Sequence, residues 1–210
     1  LLAEPDMGAF LVIAVVAMGI LFLGGVNARM FFLIGVVLVG VFALIIATST
    51  FRRERIFAYL NPWAAEHVLG KGYQLSHALI AVGRGEWFGV GLGGSVEKLH
   101  YLPEAHTDFA YAILCQEWGF LGGVLVLFLF FALIYFGVQA AGSCQDRFGM
   151  FLAMGITFSL GSQGLVNMAM VTGIVPVVGV PLPFISYGGT ALAVQLAEVG
   201  IVLSVSRQMR

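Results

Sequence analysis

Apolar residues in this chain fall in long, nearly uninterrupted runs. They lack the alternation of strands and the three-to-four spacing of soluble helices. Five runs are of the length a helix needs to cross a bilayer, about 20 residues. They cover Met7 to Val26, Met30 to Ser49, Phe109 to Val138, about Met150 to Val171 and about Ile185 to Val205. Only Asn27-Ala28-Arg29 separates the first two, which predicts a tight antiparallel pair, with Glu4-Pro5-Asp6 supplying the helix start. The third run is dry only from Gly119 onward. Gln116 and Glu117 in the preceding turns predict that this helix begins well outside the hydrocarbon. Gln163 and Asn167 share a face of the fourth run and read as hydrogen-bond glue between helices. The fifth carries Gln195 and Glu198, and an acid inside a span is costly unless it faces protein or water.

Two segments break this pattern. Thr50 to Thr107 is the one large polar stretch, opening with Arg52-Arg53-Glu54-Arg55 and rich in glycine from Gly83 to Ser95. The spacing of Ile56, Tyr59, Leu60 and Trp63 predicts a short amphipathic helix on the membrane surface, and a second short helix is expected over Tyr73 to Val82. Thr172 to Gly189 is apolar but holds Pro176, Pro181 and Pro183, so it cannot be one continuous helix. Irregular backbone near membrane depth persists only where protein or a wet cavity satisfies it, which predicts a re-entrant or cavity-lining loop. The expected organisation is an all-α integral membrane bundle of about five transmembrane helices. Two of these lie in residues 1–49, a large loop in 50–107, and three more helices in 108–210, with a Pro/Gly-rich loop at 172–189. The opening at Leu1, directly before a span, reads as a piece of something longer.

Composition agrees with this reading. Sixty per cent of residues are hydrophobic and 10% charged, more apolar surface than a soluble domain of 210 residues can hide. A net charge of −1 offers no basic footprint for nucleic acid. Cys115 and Cys144 lie near opposite ends of one predicted helix, roughly 43 Å apart at ~1.5 Å per residue, outside bridging range. Charge leaves the orientation open. With the C-terminus cytoplasmic, the short inside segments carry Arg29, Arg147, Arg207 and Arg210. The long loop then holds Arg52, Arg53, Arg55, Lys71, Arg84 and Lys98 outside.

Candidate chemistry concentrates where the long loop meets the third run, in Tyr101-Leu102-Pro103-Glu104-Ala105-His106-Thr107-Asp108-Phe109. Asp108, or Thr107 beside it, suits a helix N-cap worth ~1 kcal/mol. The same position also suits a general base. About 16 Å of helix to Gly119 sets the carboxylate near the headgroups, against a low-dielectric wall that raises a carboxyl pKa. Glu104 and His106, with His100, match no zinc spacing, and a Mg²⁺ held by one carboxylate and a substrate phosphate fits better. Lys98 and Arg84 are either solvated surface or contacts to a diphosphate. Gly89, Gly91 and Gly94 satisfy G-x-G-x-x-G without a βαβ unit around them, so close backbone packing or a flexible lip is the better reading.

The nonapeptide resembles the signature of the SEDS family (shape, elongation, division, sporulation). Glu4-Pro5-Asp6-Met7-Gly8, Asn61-Pro62-Trp63-Ala64, Gly72-Tyr73-Gln74, Gly89-Val90-Gly91-Leu92-Gly93 with Lys98-Leu99, Asn167-Met168 and the loop Gly179 to Gly189 are similar to further family elements. Tyr101 and Ala105 are similar to the division branch. The resemblance implies a ten-span protein of which this is the C-terminal half, with the long loop extracytoplasmic and the C-terminus cytoplasmic. It implies a peptidoglycan glycosyltransferase that polymerises lipid II during bacterial cell division, in the inner membrane at the division site. Asp108 would be the essential aspartate. Lys98, Arg84, Glu104, His106, Pro183 and Ser186 would attend the substrate, and a divalent cation (Mg²⁺ or Mn²⁺, ligands unknown) would assist. A class B penicillin-binding protein, the transpeptidase, would be a partner, along with other membrane proteins of the division machinery. Gln116 stands where the family usually has an acid, and Gln195 and Glu198 replace apolar residues. A lipid II flippase using Gln163, Asn167 and Glu198, and a non-catalytic division scaffold, are the competing readings.

Overall fold

A computed structural model describes residues 7–64, 67, 70, 72–99 and 101–207, with only the backbone described at 7, 9 and 51. The expected helix start at residues 4–6, and Lys71, His100 and Arg210, lie outside the described residues. Seven helices follow in order: α1 Met7–Leu23, α2 Ala28–Thr48, α3 Thr50–Leu60, α4 Tyr73–Arg84, α5 Ala110–Gly142, α6 Arg147–Val171 and α7 Gly189–Arg207. No strand occurs among the described residues. Four of the helices, α2, α5, α6 and α7, are long and apolar enough to cross a membrane. The described part of α1 has 17 residues, about 26 Å at 1.5 Å per residue and short of a full crossing.

α5 and α6 are the centre of the bundle. They pack closely because glycines sit where the two helices meet. A Cβ on Gly164 would strike the ring of Phe130, and one on Gly137 would strike Thr157. α1 crosses α6, with Gly19 under Phe158 and Gly155 under Ile20. α2 pairs with α1 through the stacked rings of Phe10 and Phe42, 6.2 Å apart, but buries no residue of its own. Its side chains are left to lipid and to other spans. α3 starts one residue after α2 and runs to Leu60, earlier than the apolar spacing suggested. Tyr59 fastens it by donating to the carbonyl of Ile174 at 2.7 Å.

The main core lies towards the end of the bundle that carries the long loop. Ala78 and Ala81 of α4 pack with Leu102, Ala105 and Phe109 of the nonapeptide. Tyr111, Ala112, Cys115, Val126 and Phe130 of α5, Met168, Met170 and Val171 of α6, and Leu182 of the last loop complete it. The long segment is therefore folded down onto α5 rather than free above the membrane. Both cysteines are free.

α5 is two helices joined at Gly119, whose φ of 71° and ψ of −168° lie in a region essentially reserved for glycine. Residues 120–142, about 34 Å of helix, make a full crossing, and residues 110–118 stand beyond it. The break agrees with the expected start of the dry stretch. The glycine-rich segment satisfies the backbone groups it frees. Val90 and Gly91 donate to the carbonyls of Gln116 and Glu117 (3.0 and 3.1 Å), while Phe120 and Leu121 donate to Glu86 and Trp87 (2.8 and 3.3 Å). Close backbone packing is thus the purpose of these glycines. A Cβ on Gly89 would fall on the carbonyl of Glu117, and one on Gly85 on that of Cys115.

Candidate functional site

The nonapeptide is a run of turns that ends at α5. The N-cap falls at Phe109, which offers no side-chain oxygen, so neither Thr107 nor Asp108 occupies the capping position that the sequence suggested. The reason is local. Glu104 adopts a left-handed φ of 54°, and its carbonyl accepts from the N–H groups of Thr107 (3.2 Å) and Phe109 (3.1 Å). Its carboxylate accepts from the Thr107 hydroxyl at 2.7 Å. That closed turn delivers Asp108, half-buried, to the head of α5.

The irregular loop between α6 and α7 is seated directly on this turn. Ser186 donates from its hydroxyl to the carbonyl of Thr107 at 2.5 Å and accepts from the N–H of Leu182 at 2.8 Å. Tyr187 N–H donates to the carbonyl of His106 at 2.8 Å. Asn167, fully buried in α6, donates to the carbonyls of Asp108 (2.7 Å) and Val180 (2.6 Å). Gln195 of α7 accepts from the N–H of Phe184 at 2.9 Å, where φ is +67°. The expected re-entrant loop is therefore satisfied by protein, as irregular backbone in a bundle must be. Gly179 makes room for the acid: a Cβ there would lie 3.3 Å from Asp108 Oδ2.

Two grooves lie beside the turn and the loop that hold Asp108, which itself lines neither. One, of about 620 Å³, is lined by Ala105, His106, Ile113, Leu114, Glu117, Trp118, Ile185 and Tyr187. The other, of about 280 Å³, runs between α1, α6 and the loop past Gly8, Gln163 and Gly179. Both are mainly apolar, with few polar groups, which suits a lipid-linked ligand.

The remaining predicted residues are placed as follows. His106 is exposed and faces the larger groove. Lys98 pairs with Glu117 on the wall of that groove at 2.6 Å. Arg84, half-exposed, lies 3.5 Å from Glu97, a buried acid also bonded to His77 at 2.8 Å. Pro183 is fully buried and the Ser186 hydroxyl is committed to internal bonds, so in this conformation both hold the loop. Gln163 bonds Ser159 within its own helix, so it is not the interhelical glue that its position suggested. Gln116, where an acid was expected, is buried and accepts from the Ser95 hydroxyl. No group of three or more His, Cys, Asp or Glu residues that could hold a metal occurs among the described residues. Sequence reasoning did not connect Asn167 or Gln195 with the Asp108 site, reading Asn167 as interhelical glue or as part of a flippase path. The signal was present, since an amide inside a span needs a partner.

Fold and site define a polytopic membrane protein with a half-buried acid at the head of a long helix, caged by a broken loop beside apolar grooves. The family model for cell cycle proteins of the FtsW/RodA/SpoVE type matches residues 1–210. The chain belongs to that family, the SEDS family its motifs resemble. It is 50% identical over 213 residues to "Probable peptidoglycan glycosyltransferase FtsW" of Thiomonas intermedia (strain K12), covering 100% of this chain and 52% of that protein. It is 41% identical over 210 residues to stage V sporulation protein E of Bacillus subtilis (strain 168), covering 100% and 57%. Among solved structures, it matches a chain from work on polymerization and crosslinking by a peptidoglycan synthase complex. That match has a TM-score of 0.77 and 28% identity, over 99% of this chain and 57% of that one. It also matches a variant of the rod shape determining protein RodA of Thermus thermophilus, with a TM-score of 0.62 and 29% identity, over 98% and 51%. The chain spans about half the length of the curated relatives it matches.

Proposed function

We propose that the protein to which this chain belongs is a peptidoglycan glycosyltransferase that polymerises lipid II during cell division, with Asp108 as general base. The observation that carries this reading is the placement of Asp108. It is half-buried at the head of α5, its carboxylate lies against Gly179, and its backbone is tied to α6. The acceptor sugar's 4-hydroxyl oxygen attacks the donor's anomeric carbon as its proton passes to Asp108. The bond from that carbon to the lipid diphosphate breaks, and the electron pair leaves with the diphosphate. The diphosphate is already a good leaving group, so one carboxylate suffices where a glycosidase uses two. Two lipid anchors in one membrane plane supply proximity.

His106 and Glu104 position the sugar at the mouth of the larger groove. Lys98 and Arg84 are the nearby cations for the diphosphate, and a phosphate reaching Lys98 competes with Glu117 for it. A Mg²⁺ or Mn²⁺ held between a carboxylate and the substrate diphosphate would help neutralise the leaving group, and no step above depends on it. The loop face is extracytoplasmic and the C-terminus cytoplasmic, in the inner membrane at the division site. A class B penicillin-binding protein is the partner. The origin of one structural neighbour in a peptidoglycan synthase complex supports that pairing.

The test is lipid II polymerisation by the full-length protein carrying Asp108→Asn, followed as glycan strand formation. Loss of polymer with unchanged folding is expected, and a wild-type rate excludes Asp108 as the base. Transbilayer movement of fluorescent lipid II in liposomes that depends on Glu198 and not on Asp108 would favour the flippase reading instead. Normal growth of cells with Asp108→Ala would favour the scaffold.

A further inference from the structure

We infer that Asn167 is a positioning residue for Asp108, acting by locking two separate backbone segments into one cage around the carboxylate. This rests on Asp108 being the base. The Asn167 amide meets two carbonyls, those of Asp108 and Val180, at 2.7 and 2.6 Å. Both are acceptors only, so the orientation of the amide is set by chemistry: its two N–H bonds must point at them, one each. The two carbonyls belong to segments 72 positions apart, which are otherwise joined at this end by the bonds from Ser186 to Thr107 and from Tyr187 to His106. One ends the turn that carries the reactive carboxylate. The other lies next to Gly179, the residue whose missing side chain makes space for Asp108 Oδ2. A single side chain therefore bonds directly to the main chain of the acid and to the segment of the wall it stands against.

The rest of the amide argues against a role in stability alone. Asn167 is fully buried, and its Oδ1 has no hydrogen-bond donor among the described residues. An unmet buried acceptor opposes folding. An apolar side chain would remove that one penalty, but it would leave the two carbonyls without this donor and could not hold them together. The arrangement makes sense where fixing the Asp108 main chain matters more than the stability of α6. Rate is sensitive to such placement: a 1 Å displacement at the reacting group is enough to cost about a hundredfold.

The experiment uses the full-length protein with its partner and lipid II, comparing Asn167→Leu, which keeps the branching at a larger volume and loses both donors, with Asn167→Asp, which keeps shape and volume and replaces the two donors with an acceptor. Polymerisation rate at saturating lipid II, the lipid II concentration for half-maximal rate, the pH–rate profile and the melting temperature are measured. The expected result is a fall in kcat of about tenfold to a hundredfold. Half-saturation stays unchanged, the acidic limb of the profile is displaced, and melting falls by no more than the two stranded carbonyls account for, with the loss of kcat exceeding any loss of folded protein. Wild-type kcat and an unmoved acidic limb in either folded variant overturn the inference. So does activity that merely tracks the folded fraction, or a failure of both variants to fold, since either outcome makes Asn167 structural only. Asp108→Asn separates the two claims. If it is inactive beside a fully active Asn167→Leu, only the positioning role falls. If it is active, the base assignment falls first.

Discussion

Gly119→Ala is the sharpest test of how the membrane-crossing and site-bearing halves of α5 are joined. Gly119 sits at φ 71°, ψ −168°, where a residue with a side chain costs about 1–3 kcal/mol. The added methyl would also lie 2.6 Å from Phe88 N and from Trp87 C, both backbone atoms that cannot rotate away. Relief requires the 86–91 segment to move off the break. That stretches first the bonds from Phe120 to Glu86 and from Leu121 to Trp87. Each is worth about 0.5–1.5 kcal/mol net. The total is about 2–6 kcal/mol. The curated relatives are about twice this chain's length, so the roughly 2–4 °C per kcal/mol of a 210-residue chain about halves, and the melting temperature of the full-length protein in detergent should fall by ~2 °C or more. Gly83→Ala is the control. Gly83 lies exposed in helix α4 with open space where the methyl would go, so that change should be neutral or stabilising by about 0.5–1 kcal/mol. A Gly119→Ala protein that melts with the wild type would refute the account of the break.

Two further outcomes follow from the cage around Asp108. Gly179→Ala brings a methyl to 3.3 Å from Asp108 Oδ2 at a φ of +67°, and should slow lipid II polymerisation by about tenfold while the protein still folds; an unchanged rate would mean that the carboxylate is free to reorient. Gln195→Leu strands the N–H of Phe184 and should destabilise by about 1–3 kcal/mol, read as melting temperature, with no loss expected if water replaces the amide.

Much of this arrangement was legible in the order of residues. The runs of apolar residues located every span to within a few positions, because only a helix satisfies its own backbone in lipid. Gly119 marked the start of the dry stretch, and Asp108 stood out as an acid at the head of a span. The loop at 172–189 announced its irregularity through three prolines. The partners of the polar groups were not legible. Gln163 and Asn167 share one helix face, yet one bonds its own helix and the other bonds two distant segments. Ser186 and Pro183 read as groups for a substrate, yet the fold spends them on holding the loop.

What the sequence by itself determined was the set of helices, their approximate depth and the acid at the head of α5, since hydropathy and helix length act locally along the chain. What only the tertiary structure decided was the cage. The closure of the last loop over the nonapeptide, the clamp at Asn167 and the seating of the glycine segment on the break are contacts between residues tens of positions apart. Which carbonyl an amide meets depends on how α5 and α6 pack, and no local pattern encodes that.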